Sequence, residues 1–443
     1  MKSKLFLFIF FTLLINKVMH AQTEQQIFTD EGKKIISLFV NRNYDSLQYY
    51  INEPQKIYNS PAAISSNYEP IIEKYGNIQT VKFAGFKGNN EQITVQFVCN
   101  TAYNIGLLVE LIFNTKNKKI IYYKFTETYK IYAIPEYVNA ELFTENTINF
   151  HSDSTMPLTG FLTMPVIKEK VPLIIIIPDA GPTDADGVYN SKPYKDIAYG
   201  LSSYGFATFR YNKRSINYGF NLNQDKVNNK VFTPNEDVID DLLSGIEALK
   251  GNPNIDTTKI YLLGHGEGAY LAPYIANNYK NICGIIMINA NANHPLEMIM
   301  EQHKYLGKIL PHKKEHFDED DLKAKKVLKG NFDSKTHYAE LPFDVPASYW
   351  LWINNYSQVK IAKKLSIPIF IIQGERNYQV DKANFYAWKK KLKRNKNVSF
   401  KNYESLNHIM HDGVGESTYS EYGMMVHIPF FVIDDLQKWL KVN

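Results

Sequence analysis

The sequence predicts an α/β protein: a mostly parallel sheet with helices on both faces, preceded by a small α+β domain. Three observations carry this. From about residue 145, short apolar strands alternate with amphipathic helical segments, the pattern of a parallel sheet covered on both sides. Before that, residues 24–130 read as helices followed by strands without alternation, which means segregated layers. The 443-residue chain is 44% hydrophobic and 21% charged, enough to bury a core in more than one domain.

The opening MKSKLFLFIFFTLLINKVMHAQT reads as a signal peptide over residues 1–21. Lys2 and Lys4 precede an apolar run, Leu5 to Ile15, too short for a comfortable membrane span, and Ala21 precedes Gln22 at a cleavage point. The mature protein is therefore expected to be exported, periplasmic or secreted, with no later membrane span. A net charge of +5 is small for this length and gives no case for nucleic-acid binding. The only cysteines, Cys99 and Cys283, fall in different expected domains and read as small core residues, not a disulfide framework.

Within residues 24–130, TDEGKKIISLFVNRNYDSLQYYIN places Ile35, Ile36, Phe39 and Leu47 at helical spacing. PAAISSNYEPIIEKYG predicts a second helix ending at Gly76. QITVQFVCNTAY, IGLLVELIFNT and KIIYYKFTET read as antiparallel strands. From 145 to 443, TINFHS and LTGFLTMP form a hairpin, and LIIIIP, FATFRY, IYLLG, ICGIIMIN, IPIFIIQ and VSFKNY follow as strands. Residues from about 293 to 345 interrupt this rhythm with a helical insertion. It follows a strand's C-terminal end, so it is expected to cap the sheet edge where ligands bind, its charged half reading equally as a solvated excursion.

Tyr261 to Tyr270, YLLGHGEGAY, has the strand–turn–helix shape of a nucleophile elbow, G-x-S-x-G, with glycine in place of serine. With RYNKRS, LEMIMEQHKYL, PASYWLW, IPIFIIQGERNYQV and LNHIM, it resembles the α/β-hydrolase fold, specifically secreted bacterial serine hydrolases of the esterase/serine-aminopeptidase type. In that group a small domain of unknown function often precedes the hydrolase.

The resemblance implies a Ser, an Asp or Glu and a His in that chain order. The serine position is Gly266, which has no side chain to attack a carbonyl. The acid position is Asn377, an amide that cannot compensate an imidazolium. The histidine is kept as His408. The oxyanion region, H-G-S-G-P-x-D-R-D in the family, reads PDAGPTDAD here. Backbone donors are expected around Ala180, Gly181 and Glu267, with an Asp179 carboxylate that would repel a developing oxyanion.

Neighbouring residues offer candidate substitutes. Asp381 is a candidate replacement acid, against a helix N-cap role before KANFYAW. His265, His408 and His411 raise the question of a metal, but their spacing does not make a site, and no metal or cofactor is expected. KKKLKRNKN, Lys389 to Asn397, reads as a solvated helix end. The expectation is thus an α/β-hydrolase that is a pseudoenzyme, binding a small-molecule or peptide ligand, with a protein partner through the N-terminal domain. The alternative is a weak ester or amide hydrolase using His408 with a non-standard nucleophile.

Overall fold

The computed structural model describes residues 25–443 apart from 90, 104, 129–131, 133, 188–190, 228–230 and 425. The expected signal peptide lies outside the described residues. Among the described residues no helix is long and apolar enough to cross a membrane. The chain divides into two compact units, the first running to Tyr132 and the second comprising Ala133–Tyr422 and Val426–Asn443.

In the first unit residues 25–40 are helical, and Phe28, Ile35, Ile36 and Phe39 are buried along one face. The helix does not run on to Leu47 as the spacing suggested. Arg42 takes a positive φ of 53°, and a separate short turn, Tyr44–Leu47, starts again with Asn43 as its cap. Helix Pro61–Tyr75 begins with Ser60 accepting from the Ala63 N–H and with proline in its first turn, and it closes at Gly76 (φ 77°). Four antiparallel strands follow in spatial order: β1 (Ile78–Gly88), β2 (Gln92–Thr101), β3 (Gly106–Asn114) and β4 (Ile120–Thr128). Val95, Phe97, Cys99, Val109 and Leu111 pack with the helices' apolar faces into one core. The sequence reading omitted β1, whose glycines and lysines interrupt the alternation that marks β2 and β3.

The second unit carries an eight-stranded sheet. Its strands are β5 (Phe143–Phe150), β6 (Leu158–Pro165), β7 (Val171–Ile177), β8 (Ala207–Tyr211), β9 (Ile255–His265), β10 (Ile282–Ile288), β11 (Ile369–Gly374) and β12 (Val398–Tyr403), in the order β12-β11-β10-β9-β7-β8-β6-β5. The hairpin β5–β6 and the β6–β8 pair are antiparallel, and the other pairings are parallel. Leu173, Ile175 and Ile177 of β7 join a core with Leu242, Leu271 and Trp388 of flanking helices. Ile174 and Ile176 are equally buried and face the other way, as the two-residue strand period requires. This is why β7 is a continuous apolar run.

β7 is flanked by β8 on one side and β9 on the other, so the chain reverses direction across the sheet there. A crevice opens outside the carboxyl ends of strands at such a switch point. The cap excursion spans residues 289–368, between β10 and β11, and is longer than the expected 293–345. Helices Pro295–Ile309 and Lys314–Leu328 are followed by Ala347–Asn355, the PASYWLW stretch, which buries Tyr349, Trp350 and Ile353. The charged helix buries only Ala324 and Val327. Cys99 is a buried free thiol; Cys283 is also free but only half-buried, its Sγ donating to the Thr258 carbonyl at 2.8 Å. The core expectation for Cys283 therefore needs correcting: it sits near the start of β10, where the strand emerges.

Candidate functional site

The turn after β9 packs three backbones too closely for side chains. A Cβ on Gly264 would lie 2.4 Å from the Gly268 carbonyl carbon, and one on Gly268 would lie 2.4 Å from the Ile177 carbonyl oxygen. Both glycines are therefore required for helix Glu267–Asn278 to start against β7 and β9. Between them Gly266 adopts φ 51° and ψ −109°, its N–H donating to the Ile288 carbonyl at 3.0 Å. This is the strained, exposed-apex geometry of a nucleophile elbow, with no side-chain oxygen at the apex.

The space above Gly266 is taken from across the crevice. A Cβ built on Gly266 would fall 1.9 Å from Asp179 Oδ1 and 2.3 Å from its Cγ. Asp179 follows β7, and its Oδ1 accepts from the backbone N–H groups of Glu267 (2.8 Å) and Ala180 (2.7 Å). These are the residue after the elbow and a residue of the β7 loop, the two sources of donors expected for an oxyanion hole. The carboxylate, expected from the sequence to repel a developing oxyanion, lies between these two donors and accepts from both. Burial alone would raise its pKa, but the His408 imidazole, its hydrogen bond and the Glu267 N–H outweigh burial and hold the carboxyl well below the usual range.

His408 is buried between two partners. Its Nε2 lies 2.7 Å from Asp179 Oδ2, and its Nδ1 lies 3.0 Å from Asn377 Nδ2. The Asn377 amide cannot turn over, because its Oδ1 accepts from the N–H groups of Gln379 (2.9 Å) and Val380 (3.0 Å). The amide N–H therefore donates to Nδ1, and the imidazole proton sits on Nε2, pointing at Asp179. In a working triad the acid holds the proton on Nδ1 and leaves Nε2 free to accept one; here the tautomer is inverted. Asp381 stands exposed at the N-cap of helix Lys382–Leu392, its Oδ1 accepting from Asn384 Nδ2 at 3.0 Å. The position beside Nδ1 belongs to Asn377.

Sequence reasoning missed Tyr194. Its hydroxyl accepts from the Asp179 N–H (3.0 Å) and meets His265 Nδ1 at 2.9 Å, while His265 Nε2 donates to the His408 carbonyl at 2.8 Å. Tyr194 thus ties the β7 loop to the elbow, and no local motif announces it. Burial, with His408 nearby, lowers the His265 pKa to about 4. Asp179, His265 and His408 offer ligand-type atoms within 4.8 Å of one another. The two nitrogens of His265 are nevertheless committed, one as donor and one as acceptor, so its imidazole has no lone pair to spare for a metal. His411 is outside this cluster; it is buried, neither ring nitrogen has a hydrogen-bond partner, and burial lowers its pKa to about 3.

Above this floor lies a cavity of about 540 Å³. Asp179, Gly181, Gly266, Glu267 and His408 line its base, and Met298, Ile299, Tyr349, Trp350 and Ile353 from the cap line its roof. The pocket is open, not filled by tyrosine or phenylalanine side chains. Glu267 has two roles: its backbone serves the hole, and its carboxylate accepts from Lys213 (3.1 Å) and Tyr349 (2.6 Å). Lys213 also binds Asp237 at 3.3 Å. Burial opposes its charge, but the two carboxylates hold the ammonium above its usual range. RYNKRS thus supplies a fully buried cation that fixes the start of the elbow helix.

No family model matches this chain. The esterase EstD of Thermotoga maritima is 34% identical over 316 residues, spanning 70% of this chain and 70% of that one. This chain belongs to the α/β-hydrolase esterase family. Solved structures similar to it include an acylaminoacyl peptidase of Pyrococcus horikoshii and Est1E of Butyrivibrio proteoclasticus. The first is 18% identical with a TM-score of 0.43 and covers 75% of this chain, which spans 47% of that peptidase. Est1E is 16% identical with a TM-score of 0.44, covering 67% of this chain and 98% of its own. Gly266 stands at the apex of the turn, Asn377 lies beside His408 Nδ1, and Asp179 lies between His408 Nε2 and the two backbone donors.

Proposed function

We propose that this esterase-family protein is a pseudohydrolase: it binds an apolar small-molecule or peptide ligand in the capped cavity and does not turn over acyl substrates. One observation carries the reading. The Asp179 carboxylate stands where a nucleophile's side chain would stand and consumes both backbone donors that a tetrahedral intermediate would need. The inverted His408 tautomer supports it, since an imidazole with its proton on Nε2 cannot take one from an attacking group. In serine hydrolases the loss of the nucleophile alone lowers turnover by roughly 10⁶, and an Asp-to-Asn change at the acid by about 10⁴.

The test is an aryl-ester assay together with a serine-directed fluorophosphonate probe. Background rates and an unlabelled protein are expected; turnover above background, or stoichiometric labelling, contradicts the reading. We further propose export of the mature chain and a protein partner for the first unit. Mapping the mature N-terminus tests the first, which fails if the intact N-terminus is found on a cytoplasmic protein. Co-purification with the full chain and with a chain lacking the first unit tests the second, which fails if the same proteins are recovered with both.

A further inference from the structure

We propose that Asp179 is itself a reactive group, a carboxylate nucleophile moved across the crevice into the space Gly266 leaves open. It would take substrates with an electrophilic sp³ carbon and hold them as a covalent ester. This rests on the reading above that the site does not complete acyl turnover.

The two oxygens of Asp179 are not equivalent. Oδ1 is held by the Glu267 and Ala180 N–H groups, and Oδ2 faces His408 at the cavity floor. The Asp179 side chain remains 20% exposed, whereas that of His408 is 2% exposed. Attack on an ester carbonyl would create a substrate oxyanion with no donors left for it, because Oδ1 already fills the hole. Displacement at a saturated carbon needs no such donors. A lone pair on Oδ2 forms the new C–O bond, the bond from carbon to a halide breaks, and the halide leaves with its electron pair. The carboxylate charge is consumed, and Oδ1 becomes the carbonyl oxygen of a neutral ester, still held by the same two N–H groups.

Those donors then sit where an oxyanion would develop if water attacked Cγ of that ester. Release would need a base at Nε2 of His408. Asn377 keeps the proton there, so the adduct should persist. The arrangement therefore predicts a single covalent event per molecule instead of turnover, and it predicts that Asn377→Asp, by allowing the proton onto Nδ1, turns the trap into a hydrolase.

The probe is (2-bromoethyl)benzene, sized for an apolar cavity, incubated with the full chain. One equivalent of bromide and one adduct mapped by peptide mass spectrometry to Asp179 are expected, with no adduct in Asp179→Asn. For Asn377→Asp, bromide release should exceed one equivalent by at least about tenfold. An adduct on any other residue, or no adduct, overturns the proposal whether or not the variants fold, since the mapping is done on the unaltered protein. Calorimetry with 2-phenylethanol separates the two readings. If the alcohol binds and no adduct forms, Asp179 is a plug and the ligand-binding reading stands. If neither binds nor reacts, both fall.

Discussion

Gly266→Ser is the perturbation that the site resists most. The new Cβ would lie 1.9 Å from Asp179 Oδ1, so the carboxylate must leave. Its departure abandons hydrogen bonds from Glu267 N, Ala180 N and His408 Nε2, each worth about 1.5–3 kcal/mol to a charged acceptor. Rehydration of the displaced carboxylate and water entering from the cavity return much of this. A residue with a Cβ at φ 51° adds strain of about 1–3 kcal/mol. The net destabilisation should be about 2–4 kcal/mol, more than backbone strain alone would give. Asp179→Gly loses the same hydrogen bonds but also removes the clash. The double variant should therefore be less destabilised than the sum of the singles by about 1–3 kcal/mol. All four tryptophans, Trp350, Trp352, Trp388 and Trp439, lie in the second unit, so denaturation followed by tryptophan fluorescence reports that unit alone. Additive effects, or a Gly266→Ser variant within about 0.5 kcal/mol of the parent, would refute the displacement argument.

Other outcomes follow from the same contacts. In Gly266→Ser with Asn377→Asp the new Cβ displaces the Asp179 carboxylate but leaves its charge beside the hole, so aryl-esterase activity should be slight, and adding Asp179→Gly should raise it; a double variant as active as the triple would show that Asp179 does not impede the site. Stability should fall by about 3 kcal/mol per histidine as pH drops from 6.5 towards 4, because buried His265 (about 4) and His411 (about 3) protonate only in the unfolded chain across that window. His265→Gln should flatten part of that slope in pH-dependent denaturation. Asp179 has a depressed pKa, so its contribution is complete above the unfolded value of 3.8 and is lost only as pH falls further. Lys213→Met should destabilise the second unit by about 3–5 kcal/mol, since it leaves the part-buried Asp237 and Glu267 carboxylates without their cation; a melting temperature unchanged from the parent would contradict this.

The sheet was legible because its strands are buried on both faces and read as unbroken apolar runs, LIIIIP above all. The small unit's β1 was not, because an edge strand with glycines at 85 and 88 has little periodicity to show. Gly266, Asn377 and His408 could be placed because each stands in a stretch that resembles the family's motifs, YLLGHGEGAY, IPIFIIQGERNYQV and LNHIM, in the family's chain order. The role of Asp179 could not. Its residue type was read by charge, as a repulsion, whereas its effect depends on a vacancy created 87 positions later. The available signal was the pairing itself: a glycine at the apex of the elbow and a carboxylate in the facing loop. Tyr194 and the Lys213–Asp237 pair join elements distant in sequence, and only the packed sheet edge brings them together.

Asp179 stands where a nucleophile's side chain would stand, and Asn377 fixes His408 in the inverted tautomer. Nitrogen-15 NMR of the His408 ring at neutral pH should therefore show an unprotonated, acceptor-type Nδ1 and a protonated Nε2 whose signal shifts in Asp179→Asn. A protonated Nδ1 with a free Nε2, the arrangement of a working triad, would contradict this.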